Sequence, residues 1–135
     1  MRVFLDTNVL AAAFTTRGLC ADVVRCVLAE HRLITGDVIL DELQAVLSAR
    51  FKLPSSTTKD IFDLLRTHEV VAKPKKPASI PIRDPDDAWV LASAIGGRCD
   101  VLVTGDHDLL DIAAVAPLPI LSPRGFWEFI RKQAR

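Results

Sequence analysis

Short apolar runs alternate with longer stretches of helical spacing along the whole chain. The first run, 2–5 (RVFL), stops at Asp6, and after Thr7 and Asn8 a second apolar run covers 9–14. Positions 21–30 have helical spacing, with Val24, Val27 and Leu28 at i, i+3 and i+4. A second strand is predicted over 32–35 (RLIT), closed by Gly36. Asp37 suits the N-cap of a helix running to about Phe51, with Val38, Ile39, Leu43, Val46 and Leu47 among its apolar positions. Pro54-Ser55-Ser56 interrupts the pattern, and 57–68 is again amphipathic through Ile61, Leu64 and Leu65.

A third strand is predicted over 69–72, followed by a proline-stiffened loop at 73–83 (KPKKPASIPIR). A helix over 85–95 stops at Gly96-Gly97, and 100–103 (DVLV) makes a fourth strand that opens into Thr104-Gly105-Asp106. A short helix around 109–112, a fifth strand at 119–121 and a closing helix at 123–132 complete the reading. Strands separated by helices of this length imply a parallel sheet sandwiched between helices. Its strand ends share one edge, where open α/β folds put their ligands.

Composition narrows this picture only a little. The 135 residues suffice for one domain, 1–135, and half of them are hydrophobic with a quarter charged, a soluble globular balance. Lys plus Arg and Asp plus Glu number 17 each, so net charge neither supports nor excludes a nucleic-acid partner. No apolar run approaches the ~20 residues of a membrane span, and the chain does not open in the order of a signal peptide. Cys20, Cys26 and Cys99 form no Cys-x-x-Cys and read as buried free thiols in a reducing cytoplasm, ahead of zinc or disulfides. His31, His68 and His107 are scattered and suggest no metal cluster.

Acidic residues carry the candidate chemistry. Asp6 ends the first strand and Asp106 follows the fourth, so both leave the same sheet edge; their proximity requires those two strands to be neighbours. Glu42 shares a helix face with Val38 and Val46. It is either a solvated helix residue, as Asp41 is expected to be, or a carboxylate at the rim of the core. Asp84-Pro85-Asp86-Asp87 opens the next helix, where Asp84 suits the cap, Pro85 the first turn, and Asp86 and Asp87 the helix dipole. If Ala88, Leu91, Ala92 and Ile95 form the buried stripe, Asp87 borders it and points inward while Asp86 points out. Asp106 also suits a turn, Asp108 can cap the helix beginning at Leu109, and Asn8 and Thr104 can orient a carboxylate or merely satisfy a loop. Singly, each has an ordinary structural explanation. Four carboxylates at one edge would repel, at about 4 kcal/mol for a pair 4 Å apart at an effective dielectric of 20. Cations relieve that repulsion, and oxygen-only ligands suit Mg²⁺ or Mn²⁺ rather than zinc. Such ions are common apparatus for phosphodiester hydrolysis.

DTNV after the first strand, Glu42 in LDEL, DPDDAWVLASA and LVTGDHDLL resemble, in this order, the PIN-domain family, and in particular its VapC-like toxins of toxin–antitoxin systems. The resemblance implies a three-layer α/β/α sandwich with a central five-stranded parallel sheet. It implies that Asp6, Glu42, Asp87 and Asp106 hold Mg²⁺ or Mn²⁺, supported by Asn8, Thr104 and Asp108, with Asp84 and Asp86 as neighbours able to take the place of Asp87. It further implies cleavage of single-stranded RNA, frequent homodimers, and an antitoxin protein that blocks the site. Lys73, Lys75, Lys76 and Arg83 make a basic loop that either guides an RNA strand or is a solvated linker. Trp89 and Trp127 can stack bases, although aromatics on amphipathic helices more often pack. Two other readings stand beside the ribonuclease: a non-catalytic RNA- or protein-binding module that uses the acids as caps, and a phosphatase forming an aspartyl-phosphate on Asp6. The latter commonly needs an acid two residues on, where this chain has Asn8.

Overall fold

Each of the five short apolar runs forms a strand of one parallel sheet in the computed structural model, which describes residues 1–133. The strands are β1 (Arg2–Leu5), β2 (Arg32–Gly36), β3 (Glu69–Val71), β4 (Val101–Val103) and β5 (Ile120–Leu121), in the spatial order β3-β2-β1-β4-β5. Val3, Phe4, Leu5, Leu33, Ile34 and Leu102 are buried, as the near-continuous apolar runs of a two-sided parallel sheet require. The helices are α1 (Thr7–Thr15), α2 (Leu19–Glu30), α3 (Asp37–Ala49), α4 (Ser55–Arg66), α5 (Pro85–Gly96), α6 (His107–Leu110) and α7 (Pro123–Gln133), with a 3₁₀ turn at Ala113–Val115. They lie on both sides of the sheet, and Leu10, Val23, Ile39, Leu43, Leu91 and Phe126 close the core from them. This is the α/β/α sandwich with a central five-stranded parallel sheet.

The order of strands decides where the acids meet. β1 pairs with both β2 and β4, with Leu5 opposite Val103. The chain winds outward in one direction through β2 and β3 and in the other through β4 and β5. The crevice between the ends of β1 and β4 is therefore the switch point at which doubly wound sheets open. Asp6 and Thr104 face each other there.

Several local expectations are corrected. Gly36 occupies the cap of α3 and Asp37 is its first residue, so no side chain caps this helix. The buried stripe of α5 runs through Asp87, Val90, Leu91 and Ala94, whereas Ile95 is 42% exposed. The helix thus turns the acid itself onto its inner face. The short helix starts at His107, not Leu109, because Asp106 rather than Asp108 caps it. Only Cys99 is a buried thiol; Cys20 and Cys26 are half-buried. Gly97 does more than stop α5, since a Cβ there would meet Val71 Cγ2 at 2.8 Å and hold the helix end away from the sheet. No helix among the described residues is long and apolar enough to cross a membrane.

Candidate active site

Asp6 is 3% exposed and its carboxylate accepts bonds on both oxygens. Oδ1 takes the Thr7 N–H at 2.7 Å, which makes Asp6 the N-cap of α1. Oδ2 takes the Thr104 hydroxyl at 2.7 Å and the Asn8 amide at 3.2 Å. Thr104 Oγ1 in turn accepts the Asp106 N–H at 3.0 Å, and Asn8 Oδ1 accepts the Gly105 N–H at 2.8 Å. The ends of β1 and β4 are thereby sewn together by three polar side chains. Asp106 caps α6 by accepting from the Asp108 N–H at 2.9 Å.

Glu42 joins from α3: the Thr7 hydroxyl donates to its Oε2 at 3.2 Å. Val38, Glu42 and Val46 are all half-buried, so the rim reading holds for Glu42, while Asp41 is exposed. Asp87 is 7% exposed and Asp86 is exposed, the predicted inward and outward pair. Asp84 caps α5 by accepting the Asp86 N–H at 3.0 Å. One groove is lined by Asp6, Asn8, Glu42, Asp87 and Asp106 together.

Crowded carboxylates resist ionisation. Burial pushes the Asp6 carboxyl up, opposed by its bonds from Thr104 and Thr7, and Asp106 adds to the rise. Burial and then the charge of Asp6 push Glu42 up to about 7. Asp87 is raised well above the carboxylate range, by burial first and then by contact with Asp106. Among the described residues, two buried side-chain oxygens lack a partner, Thr35 Oγ1 and Asp87 Oδ2. An unpartnered buried carboxylate oxygen in a groove with three further acids, Asp6, Glu42 and Asp106, and neither His nor Cys, fits a hard divalent cation. Among the described residues the acids whose ligand atoms all lie within 4.8 Å of one another are Asp84, Asp87 and Asp108, so Asp87 belongs both to this group and to the groove of Asp6, Glu42 and Asp106.

A second mixed group lies elsewhere. Cys26 and Glu30 of α2 and His31 at its end bring ligand atoms within 4.8 Å of one another. His31 is therefore less isolated than the spacing of the histidines suggests; i, i+4 and i+5 across a helix end is the signal for it. Of the basic loop, Lys73 lies over the Trp89 ring at 4.8 Å, while Lys75, Lys76 and Arg83 are exposed.

A family model described as PIN domain matches residues 2–108. The chain belongs to the PIN-domain family. Two solved structures share the fold of this PIN domain, each at a TM-score of 0.65 over 90% of the chain. One is VapBC2 from Rickettsia felis bound to a DNA fragment from its promoter, at 17% identity and 98% coverage of that chain. The other is FitAB bound to an IR36 DNA fragment, at 12% identity and 94% coverage. No curated protein matches in sequence. Sequence reading missed two residues that line the acidic groove of this PIN domain, Arg50 and Phe51. Their signal was register: Val38, Glu42, Val46 and Arg50 are four residues apart and form one stripe on α3.

Proposed function

We propose that this PIN domain is a Mg²⁺- or Mn²⁺-dependent endoribonuclease that hydrolyses phosphodiester bonds of single-stranded RNA. The observation that carries the reading is the Asp87 carboxylate, buried with one oxygen unpartnered in the groove of Asp6, Glu42 and Asp106. These four acids would hold the ion, and Asp84 and Asp108 would hold or orient a second one through Asp87. The bound cation supplies a water of lowered pKa and stabilises charge on the leaving oxygen. The chain's own groups do the positioning. Thr7, Asn8 and Thr104 fix both oxygens of Asp6 and oppose the upward push of its burial, so its carboxyl group is held in one orientation. Thr7 also turns Glu42 toward the same point.

In this reading the protein is the toxin of a toxin–antitoxin pair, acts in the cytoplasm, forms a homodimer and is held inactive by an antitoxin protein. The fold it shares with VapBC2 and FitAB supports that role. A non-catalytic module remains the second reading because Asp6, Asp84 and Asp106 each cap a helix and so have a structural use. Cleavage of mixed-sequence single-stranded RNA in Mg²⁺ or Mn²⁺ decides between them. The nuclease reading expects cuts that vanish with EDTA and in Asp6→Asn. A wild type that leaves several such RNAs intact, purified free of antitoxin, favours the module.

A further inference from the structure

Two cations in the described residues lie over aromatic rings near the acids. The Arg50 guanidinium sits 5.5 Å from the centroid of Phe51, and the Lys73 ammonium 4.8 Å from that of Trp89. The two pairs line different grooves. The groove that holds Asp6, Asp87 and Asp106 runs past Ala12, Thr15 and Val46 to Arg50 and Phe51. A neighbouring groove runs from Val38 and Asp86 to Lys73 and Trp89. Glu42 lines both grooves, so they adjoin at that residue. Along α3 and its C-cap, Val38 lines the second groove, Glu42 both, and Val46 and Arg50 the first, a stripe about 18 Å long at 1.5 Å per residue. Each groove therefore holds one cation-over-ring pair, the two grooves meet at Glu42, and the Lys73 groove also carries Asp41 and Asp86.

We infer that single-stranded RNA lies along this stripe of α3, with one nucleotide seated at Lys73 and Trp89 and another at Arg50 and Phe51, on either side of the bond that is cut. The inference rests on the nuclease reading and deepens it. Charge complementarity supports it: the flanking cations meet phosphates, and the central acids tolerate one only when a divalent ion is bound. Both ammonium and guanidinium are exposed and the rings beneath them are half-buried. Each cation can swing to a phosphate and leave the ring face to a base, which is how sequence-tolerant strand binders combine charge with stacking. A duplex has its bases stacked inside and offers no such face. Contacts on both sides of the acids also mean that an internal bond is cut, with binding energy available from both product fragments.

The test is binding of a slowly hydrolysed phosphorothioate-linked single-stranded RNA of about ten nucleotides, within the range of single-strand sites, followed by fluorescence anisotropy in Mg²⁺. Arg50→Ala and Lys73→Ala are each expected to weaken binding several-fold. Each should also lower the slope of log affinity against log salt by about 0.7, the value for one phosphate of a single strand. Lys59→Ala on α4 is the control and should change neither quantity. In a Trp127→Phe background, quenching of the remaining Trp89 by the RNA is expected. Cleavage by the wild type, with Arg50→Ala and Lys73→Ala raising KM no more than Lys59→Ala does, overturns the track and leaves the nuclease standing. Binding with the expected slopes but no cleavage keeps the track and removes the nuclease. A wild type that neither binds nor cuts removes both.

Discussion

Glu42→Gln separates electrostatic strain at the site from ordinary packing. The Glu42 carboxyl stands at about 7 against an ordinary 4.5, because burial and the Asp6 charge disfavour its ionised form. At 1.36 kcal/mol per unit the rise corresponds to about 3 kcal/mol. Roughly half of the group is in contact with water, and screening reduces this to about 1–2 kcal/mol. The folded pKa lies above the unfolded one. The stability that protonated Glu42 contributes is therefore complete below pH 4.5 and is lost as pH rises through about 7. Glutamine keeps the shape and the acceptor for Thr7 without the charge. In chelator-treated protein, Glu42→Gln is expected to melt at the wild-type temperature near pH 4.5. At pH 8 it should melt higher by about 4–8 °C, using about 4 °C per kcal/mol for a chain of this size. Mg²⁺ should reverse the order, since the wild type gains more from the ion. Thermal melts at the two pH values, with and without Mg²⁺, are the assay. A Glu42→Gln protein less stable than wild type at pH 8 without metal, or a difference independent of pH, would refute the argument.

Thr104→Val removes the hydroxyl that donates to Asp6 and accepts from the Asp106 N–H. It should cost about 2 kcal/mol in urea unfolding and push the Asp6 carboxyl still higher. Asp84→Ala removes the N-cap of α5, for a loss of about 1 kcal/mol. If Asp84 serves only as a cap, RNA cleavage survives that change but is abolished in Asp87→Asn, a comparison made on the same RNA. Bound Mn²⁺ at 100 times its Kd should stabilise the wild type by about 2.7 kcal/mol in denaturant titrations, and Asp6→Asn should lose most of that gain.

Strands, helices and the inward turn of Asp87 were legible because burial imposes period on the sequence. Strand order was not, because β1, β2 and β4 are equally apolar and nothing in RVFL, RLIT or DVLV names its neighbour. Convergence of Asp6 with Asp106 depended on that order. Capping was read one residue off at α3 and two residues off at α6. Asp37 and Asp108 are as good caps by type as Asp106, and only the backbone shows that Gly36 and Asp106 precede the first turns. The α5 stripe was misread at Ile95 because residue type outweighed register; Val90 and Ala94 fill that face instead. Cys26, Glu30 and His31 were passed over because the helix ends between them, and Arg50 because its place at the acidic groove depends on how α3 crosses the sheet edge.

Central to the account is that the Asp6, Glu42, Asp87 and Asp106 groove holds a divalent cation. Anomalous diffraction from a crystal of the wild-type protein grown with Mn²⁺ tests this most directly. A manganese peak is expected in contact with Asp87 Oδ2 and with Asp6 or Asp106. Manganese only at Cys26, Glu30 and His31, or a fully ordered groove without manganese, would contradict it.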